Sequence, residues 1–567
     1  MSVIWRKVWF DLWSNKVRTI LAVLSIAAGV FAVGAIFGMV DQLLPGMDYA
    51  HRASNPSHIS ISLNQRIDRV TAERLKNVEG VAGIEVANSV AIRYKLKPED
   101  EWQAGFLQMR DDYEEQKFDR LQLVKGKWPE KDNLAVERLS SEAFGIGLGD
   151  KVIFELDKTD RALPVSGKIR SNFVHPPQFG GPAAFYTGAQ GLERFNIPAG
   201  EFGVLLVQVT PYSPELAREV ASEIKDRLAK EGVGVAFTTY QEPDKHWGRM
   251  FLEGLTLVLQ VLAVIALLMS VILVTNTMAA LITQQINQIG MIKAIGGSTS
   301  LILKIYLTTV LIYGLLAFML ALPLGLLAAF GLSQWFLNAF NIDYDTFQFS
   351  RRAVVYQAVA ATLIPALAAL WPVLTGAAMT VRAAIATYGL GGDFGSNWLD
   401  RAVERLGARL LSSAYAIALG NMFRRKGRLT LTQLALIGAG TMFLIVMTLS
   451  SSLSHTLETD LNRNNYDLHL GFEEPQSENR VLSMLRTVPG VAKAELWYTA
   501  SAAILDEGQR LKEAGIGAQV IGIPAGSDYY RPLLIAGRWL QPATARSSSS
   551  AKIWPTIITS NSAIPSP

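Results

Sequence analysis

The chain contains no cysteine, which excludes disulfides, thiol nucleophiles, iron–sulfur clusters and Cys-based zinc sites. Charge is also scarce. Only 18% of the 567 residues are Asp, Glu, Lys or Arg, against about 25% in soluble domains. Basic residues number 53 and acidic ones 49. No basic stripe interleaved with aromatics occurs, so nucleic acid is not expected as a partner. The six histidines, His51, His58, His175, His246, His455 and His469, stand singly and without metal-ligand spacing. No G-x-x-x-x-G-K-[ST] phosphate loop is present, and "GIGLGDK" (145–151) lacks its spacing and hydroxyl. The acidic run "DDYEEQKFD" (111–119) lacks the glycine turn of a calcium loop and reads as a solvated face. No Ser/His/Asp grouping emerges from spacing. The expectation is a chain that is not an enzyme and binds neither metal nor cofactor itself.

Apolar sequence is abundant instead. Half of the residues are hydrophobic and the mean hydropathy is +0.23. Five stretches stay free of charge for the ~20 residues needed to cross a bilayer. They predict spans at 19–40, 252–283, 301–337, 353–378 and 429–453. The first is longer than the ~7–15-residue core of a signal peptide and lacks a convincing cleavage site, so it reads as a retained span. Arg6, Lys7, Lys16 and Arg18 precede it, and 379–428 holds Arg382, Arg401, Arg405, Arg409, Arg424, Arg425, Lys426 and Arg428. Positive charge stays cytoplasmic. The N-terminus (1–18), residues 284–300 and the basic linker 379–428 are therefore expected inside, and 41–250 and everything after 457 outside. Arg351 and Arg352 run against this assignment.

The sequence repeats itself. "NKVRT" (15–19) parallels "RKGRL" (425–429), "LKNVEGVAGIEVANS" (75–89) parallels "LRTVPGVAKAELWYT" (485–499), and "LVKGKWPE" (123–130) parallels "LIAGRWLQP" (534–542). All three pairs are offset by 410 or 411 residues, which indicates a duplication. The predicted fold class is an α-helical membrane protein with extracytoplasmic α+β domains. It is built from a one-plus-three span repeat whose second copy is incomplete. Adding the offset places the missing spans at roughly 660–790. Residues 454–542 then begin a second outside domain, and the Ser/Pro-rich tail 543–567 suggests truncation or a frameshift.

Within 41–250, "HISISL" (58–63), "KVIFEL" (151–156), "GVLLVQVT" (203–210) and "VGVAFTT" (233–239) predict strands, and "TAERLKNV" (71–78) a short helix. "SPELAREVASEIKDRLAKEG" (213–232) predicts an amphipathic helix. Within the spans, Gln260, Asn276 and Gln433 are the polar residues singled out as interhelical contacts. Pro323, Pro365 and Pro372 are expected to kink or end helices. Gly and Ala in "SIAAGVFAVGAIFG" (25–38) allow close helix approach.

Between the second and third spans lies "QQINQIGMIKAIGGSTS" (284–300). Ile282, Ile286, Ile289 and Ile292–Lys293 keep helical spacing past the lipid-facing run, so the second span is expected to continue inward as one helix. Gly296–Gly297 would stop it and Ser298 or Thr299 would cap the next. From periodicity alone this is equally a docking face or a simple reverse turn.

"NQIGMIKAIGGSTSLI" (287–302) resembles the cytoplasmic segment of FtsX-like, MacB-type ABC transporter permeases. "LGNMFRRKGRLTLTQLALIGAG" (419–440) and "WRKVWFDLWSNKVRTILAVLSIAAGV" (5–30) are similar to that family's entry into a first span, and "MTVRAAIATYG" (379–389) to its exit from a repeat. The resemblance implies a permease subunit in a bacterial plasma (inner) membrane, multi-pass, with its N-terminus cytoplasmic. It implies a cytoplasmic ABC ATPase subunit as partner, with ATP and Mg held by that subunit and not by this chain. A second permease chain or an extracytoplasmic adaptor are further candidates beside the lipid bilayer. The ATPase-coupling residues implied are Gln285, Gln288, Ile289, Gly290, Lys293, Ala294 and Gly296. The family's usual Arg and Glu are here Gln284, Gln285 and Gln288, so ionic pairing with an ATPase is weakened while Lys293 keeps a cation. ATP-driven motion would pass along a rod from about Trp247 to Ile295, for export or extraction of a lipophilic or peptide substrate. Control of an extracellular cell-wall hydrolase, or a scaffold without ATPase, are the alternatives.

Overall fold

In the computed structural model, the structure describes residues 3–156, 160–381, 426–472, 476–504, 516–524, 526–534 and 539–540, with Arg405, Arg409, Ser412 and Tyr415. Most of the expected basic linker, and all of the 543–567 tail, lie outside the described residues.

Helix α1 (Val3–Ser14) breaks at Asn15, and α2 (Lys16–Ala53) follows. The expected span ends at Val40, yet α2 runs on through Pro45 to Ala53. Gln42, Leu43, Met47, Asp48 and His51 are buried along this extension, so an amphipathic pattern replaces the uniformly apolar one and packing extends the helix. The α+β domain expected from residue 41 therefore starts near residue 54.

β1 (Ile59–Asp68), α3 (Arg69–Leu75) and β2 (Val81–Lys95) open that domain. Its middle holds β3 (Gln103–Arg110), β4 (Gln122–Gly126), β5 (Leu134–Glu137), α4 (Arg138–Phe144), β6 (Lys151–Phe154), β7 (Arg161–Arg170) and β8 (Ala183–Thr187). β9 (Glu201–Val209), α5 (Pro214–Lys230) and β10 (Val235–Tyr240) close it. The strand order is β10-β1-β9-β2-β3-β8-β5-β7-β4, with β6 joining β2 to β7. The first four strands pair only antiparallel with one another, and with α3 and α5 they make a split-βαβ lobe of ferredoxin-like order. A second, mixed lobe is inserted between β2 and β9, where β3 pairs β8 and β5 pairs β7 in parallel.

Local sequence accounts for these elements. Asp68 accepts from the Thr71 amide at 2.8 Å to start α3, and Ser213 accepts from Leu216 at 3.0 Å to start α5, with Pro214 in its first turn. Ala217, Val220, Ala221, Ile224 and Leu228 bury the inner stripe of α5 against a core that includes Ile59, Ile61, Leu205 and Val207. Truncating Ile224 or Leu228 to alanine costs about 2–5 kcal/mol.

The chain returns through α6 (Arg249–Gln284), α7 (Ile286–Ala294), α8 (Thr299–Ala339) and α9 (Arg351–Ala378). α2 lies at the centre of the bundle, and its glycines let its neighbours close in. A Cβ on Gly29 would come 2.8 Å from Ser270 Cβ of α6, and one on Gly38 would come 2.9 Å from Ala329 Cβ of α8. Pro323, Pro365 and Pro372 sit inside helices rather than ending them. α10 (Lys426–Leu461) meets α6, where a Cβ on Gly438 would be 2.3 Å from Met269 Sδ. Among the described residues, five helices, α2, α6, α8, α9 and Leu429–Thr456 within α10, are long and apolar enough to cross a membrane. Beyond α10 stand α11 (Glu478–Leu485) and an antiparallel pair, β11 (Tyr498–Ile504) with β12 (Ile516–Gly522).

Candidate functional site

The turn between α6 and α8 is not the continuation of one helix. α6 ends at Gln284, Gln285 adopts φ −97° and ψ 10°, and α7 begins at Ile286. A tertiary bond accompanies the break: the Tyr306 hydroxyl of α8 donates to Gln285 Oε1 at 2.7 Å, and Gln285 is buried. The expected rod to Ile295 is therefore jointed. Gly296 takes φ +93° and ends α7, and Ser298 caps α8 by accepting from the Leu301 amide at 3.2 Å.

The singled-out residues divide between two faces. Gln285, Ile289 and Gly290 are buried, Ile289 among Ile302, Ile305 and Tyr306. Gln288, Ala294 and Gly296 are exposed. Lys293 is no free cation, because its Nζ donates to the Met379 carbonyl at 2.6 Å beyond the end of α9. Gln288 accepts from Lys7 of α1 at 2.9 Å, and Gln284 from Arg18 of α2. The outward apolar residues are instead Met291, 60% exposed, and Ile295, 87% exposed. Sequence reasoning kept both within its segment but counted neither among the coupling residues. Their signal was their four-residue spacing from each other, offset from the buried Gln285 and Ile289.

At the other end of the bundle, one joint ties the α+β domain to α2, α6 and the α8–α9 loop. Asn341, buried and at φ +64°, donates through Nδ2 to Glu137 Oε1 at 2.7 Å and the Ser171 carbonyl at 2.8 Å. Its Oδ1 accepts from Arg138 Nε at 2.9 Å. Asp343 pairs with both Arg138 and Arg170. Burial pushes the Glu137 carboxyl up, against its bonds from Ser140 and Asn341, and it caps α4 from there. Beside this network Asn172 donates to the Ala50 carbonyl at 3.2 Å, and Trp247 Nε1 to the Asn172 carbonyl at 3.1 Å. Asp48 pairs with Arg249. His246 Nδ1 accepts from the Gly248 amide at 3.0 Å, and burial holds this imidazole down to about 3.

The remaining candidates have structural work. Within the acidic run, Asp112 caps its own turn through the Glu114 and Glu115 amides, and Asp111 pairs with Arg69. Asp119 departs from the expected solvated face: it is buried, accepting from the Ser57 amide at 2.7 Å and hydroxyl at 2.8 Å. Asp150 of "GIGLGDK" accepts from the Gly147 amide within a turn. Among the described residues no group of three potential metal ligands occurs. Of the polar span residues, Gln433 is exposed, Gln260 is half-buried, and Asn276 has a buried Oδ1 with no hydrogen-bond partner among the described residues. Gln357 of α9, which the sequence did not single out, is fully buried between α2 and α8.

These features define a multi-span helical bundle of membrane type carrying an extramembrane α+β domain. Residues 260–385 match the family described as FtsX-like permease C-terminal. This is the family that "NQIGMIKAIGGSTSLI" and "MTVRAAIATYG" resemble. No curated protein matches the sequence significantly. Among solved structures, the extracellular domain of the noncanonic ABC-type transporter YknZ from Gram-positive bacteria is similar at 14% identity and TM-score 0.23, covering 31% of this chain and 100% of that one. The periplasmic region of MacB from Actinobacillus actinomycetemcomitans matches at 13% identity and TM-score 0.23, covering 32% and 87%. A permease-protein domain from Porphyromonas gingivalis matches at 15% and 0.22, covering 35% and 97%.

Proposed function

We propose that the chain is the membrane subunit of an ABC transporter, and that a separate ATPase docks on the α7 turn and moves the outside domain through the bundle. The observation that carries this reading is the build of α7. Met291 and Ile295 project outward, while Lys293, Gln284 and Gln288 bind α9, α2 and α1 from the same short segment. A push on the outward face would reach three helices at once. Gln285 and Ile289 serve as the seat of this knob and not as its contact face.

In this reading α6 and α2 convey the motion to the Asn341–Glu137 joint, and the outside domain carries the work of exporting or extracting a lipophilic or peptide substrate. The positive charges at 1–18 and 379–428 support a cytoplasmic side for α7. The order of α11, β11 and β12, with α11 lying 410 residues after much of α3, supports a repeat of the first outside domain. The test is co-reconstitution with the ATPase subunit. Replacing Met291 and Ile295 together by Glu is expected to abolish association while leaving the purified chain folded. Undiminished association and ATPase stimulation would overturn the docking role.

A further inference from the structure

Helix α1 has two apolar faces, and only one of them is covered by the described residues. Val8 and Leu12, one turn apart, are buried in the same cluster as Ile302, Ile305 and Tyr306. Trp5, Trp9 and Trp13 form a second stripe at four-residue spacing, joined by Phe10, and are 51%, 61%, 57% and 69% exposed. Three tryptophans and a phenylalanine left uncovered on twelve residues are costly in water. Burying each would contribute on the order of 1.5–3 kcal/mol.

The level of α1 in the bundle is set by its bonds. Lys7 reaches Gln288 at 2.9 Å, and Arg18, just past the Asn15 break, reaches Gln284. α1 therefore lies level with the α7 turn, at the end of the apolar span of α2 and not within it. From Lys16 onward the exposed apolar surface continues along α2 through Val17, Ile20, Leu21 and Leu24. The cations gather at the same level: Arg6, Lys7, Lys16 and Arg18 stand against a single acid, Asp11, which Lys7 pairs at 2.6 Å. Lys16 Nζ sits 4.9 Å from the centre of the Trp13 ring.

We propose that α1 is an interfacial anchor, lying in the headgroup layer of an anionic leaflet with the Trp5–Trp9–Phe10–Trp13 face against the acyl boundary. Indole rings partition to this layer, where an apolar body and a polar N–H are both satisfied. A short amphipathic helix with aromatic and cationic residues binds there by apolar burial plus attraction to anionic lipid. Neighbouring cations add about 1 kcal/mol each near an anionic surface. The lipid-facing side of α2 is continuous with this face, so the bilayer that covers one reaches the other. The inference does not depend on which side of the membrane α7 faces.

The absence of cysteine supplies the test, because a single introduced thiol labels cleanly in the full chain. Phe10→Cys and Trp5→Cys would each carry an environment-sensitive fluorophore after reconstitution into phosphatidylcholine vesicles containing phosphatidylglycerol. Val70→Cys, on the outside domain and 64% exposed, is the aqueous control. The expected result is quenching by shallow nitroxide-bearing lipids and protection from aqueous iodide of roughly threefold or more over the control, with deeper insertion when phosphatidylglycerol is present. Iodide access equal to that at Val70 would overturn the proposal. So would protection that arises only when the ATPase subunit is added, since the face would then be a protein contact. Near-native circular dichroism of both labelled variants keeps either outcome readable.

Discussion

Gln357 Nε2 lies 1.6 Å from where a Cβ on Gly34 would stand, and 2.2 Å from one on Gly325. The amide of α9 thus fills a slot that only two glycines, on α2 and α8, leave open. It donates toward the Ala321 carbonyl at 3.3 Å and the Val30 carbonyl at 3.5 Å. A polar side chain in an apolar bundle needs such partners, and the slot makes it a register pin for three helices.

Gly34→Ala must therefore expel Gln357, and a loss of about 1–3 kcal/mol is expected from overpacking. Gln357→Ala removes the obstruction, so the double variant should recover part of that loss. Thermal unfolding in detergent checks this. Strictly additive effects would mean the two residues do not share the slot.

The two faces of α7 should respond oppositely. Ile289→Ala is expected to lower stability by roughly 2–4 kcal/mol through the cavity it leaves. Ile295→Glu should leave stability within about 0.5 kcal/mol, as surface substitutions usually do. Unfolding curves separate the two without any partner present.

At the outer joint, Asn341→Ala deprives buried Glu137 of one donor and is expected to cost about 1–3 kcal/mol. Asp343→Ala, at a half-exposed carboxylate, should cost only about 0.2–1 kcal/mol. Hydrogen exchange at residues 341–349 should quicken in the first variant far more than in the second. Equal quickening would show that the ion pairs, not Asn341, hold the joint.

The same joint should be acid-sensitive. His246 is held near 3 when folded and titrates near 6.5 when unfolded. Between those values the unfolded chain binds more protons, so stability is intact above about pH 6.5 and falls as pH drops toward 3. At about pH 5 the loss would be at most about 2 kcal/mol. His58, also lowered by burial, adds in the same direction. His246→Asn, which keeps an acceptor for the Gly248 amide, should flatten the profile over this window. An unchanged acid dependence would assign it elsewhere.

The five apolar helices were legible because absence of charge over a bilayer thickness is a one-dimensional signal. So were β1, β6, β9, β10 and α5, whose periodicity is local. The extension of α2 to Ala53 was not, since its buried Asp48 and His51 look polar until Arg249 and the Glu242 carbonyl are known to partner them. The break at Gln285 was hidden for the same reason: no glycine or proline marks it, and its partner Tyr306 is 21 residues away. Gln357 was masked by the alanines beside it in sequence, since the glycines that open its slot, Gly34 and Gly325, lie on other helices. The residues read from the 284–300 motif lie on both faces of that segment, which a motif does not distinguish.

The α+β domain leaves α2 through β1 and rejoins α6 through β10, and these two strands are hydrogen-bonded neighbours, with Ile59 opposite Tyr240. Topologically the whole domain is a loop closed at its neck. Closely spaced ends are the condition under which inserted domains are tolerated. Such a neck allows evolution to exchange the head while the bundle beneath keeps its register. It also means that when α2 and α6 shift together the head turns as one piece, whereas if they part the neck must unzip.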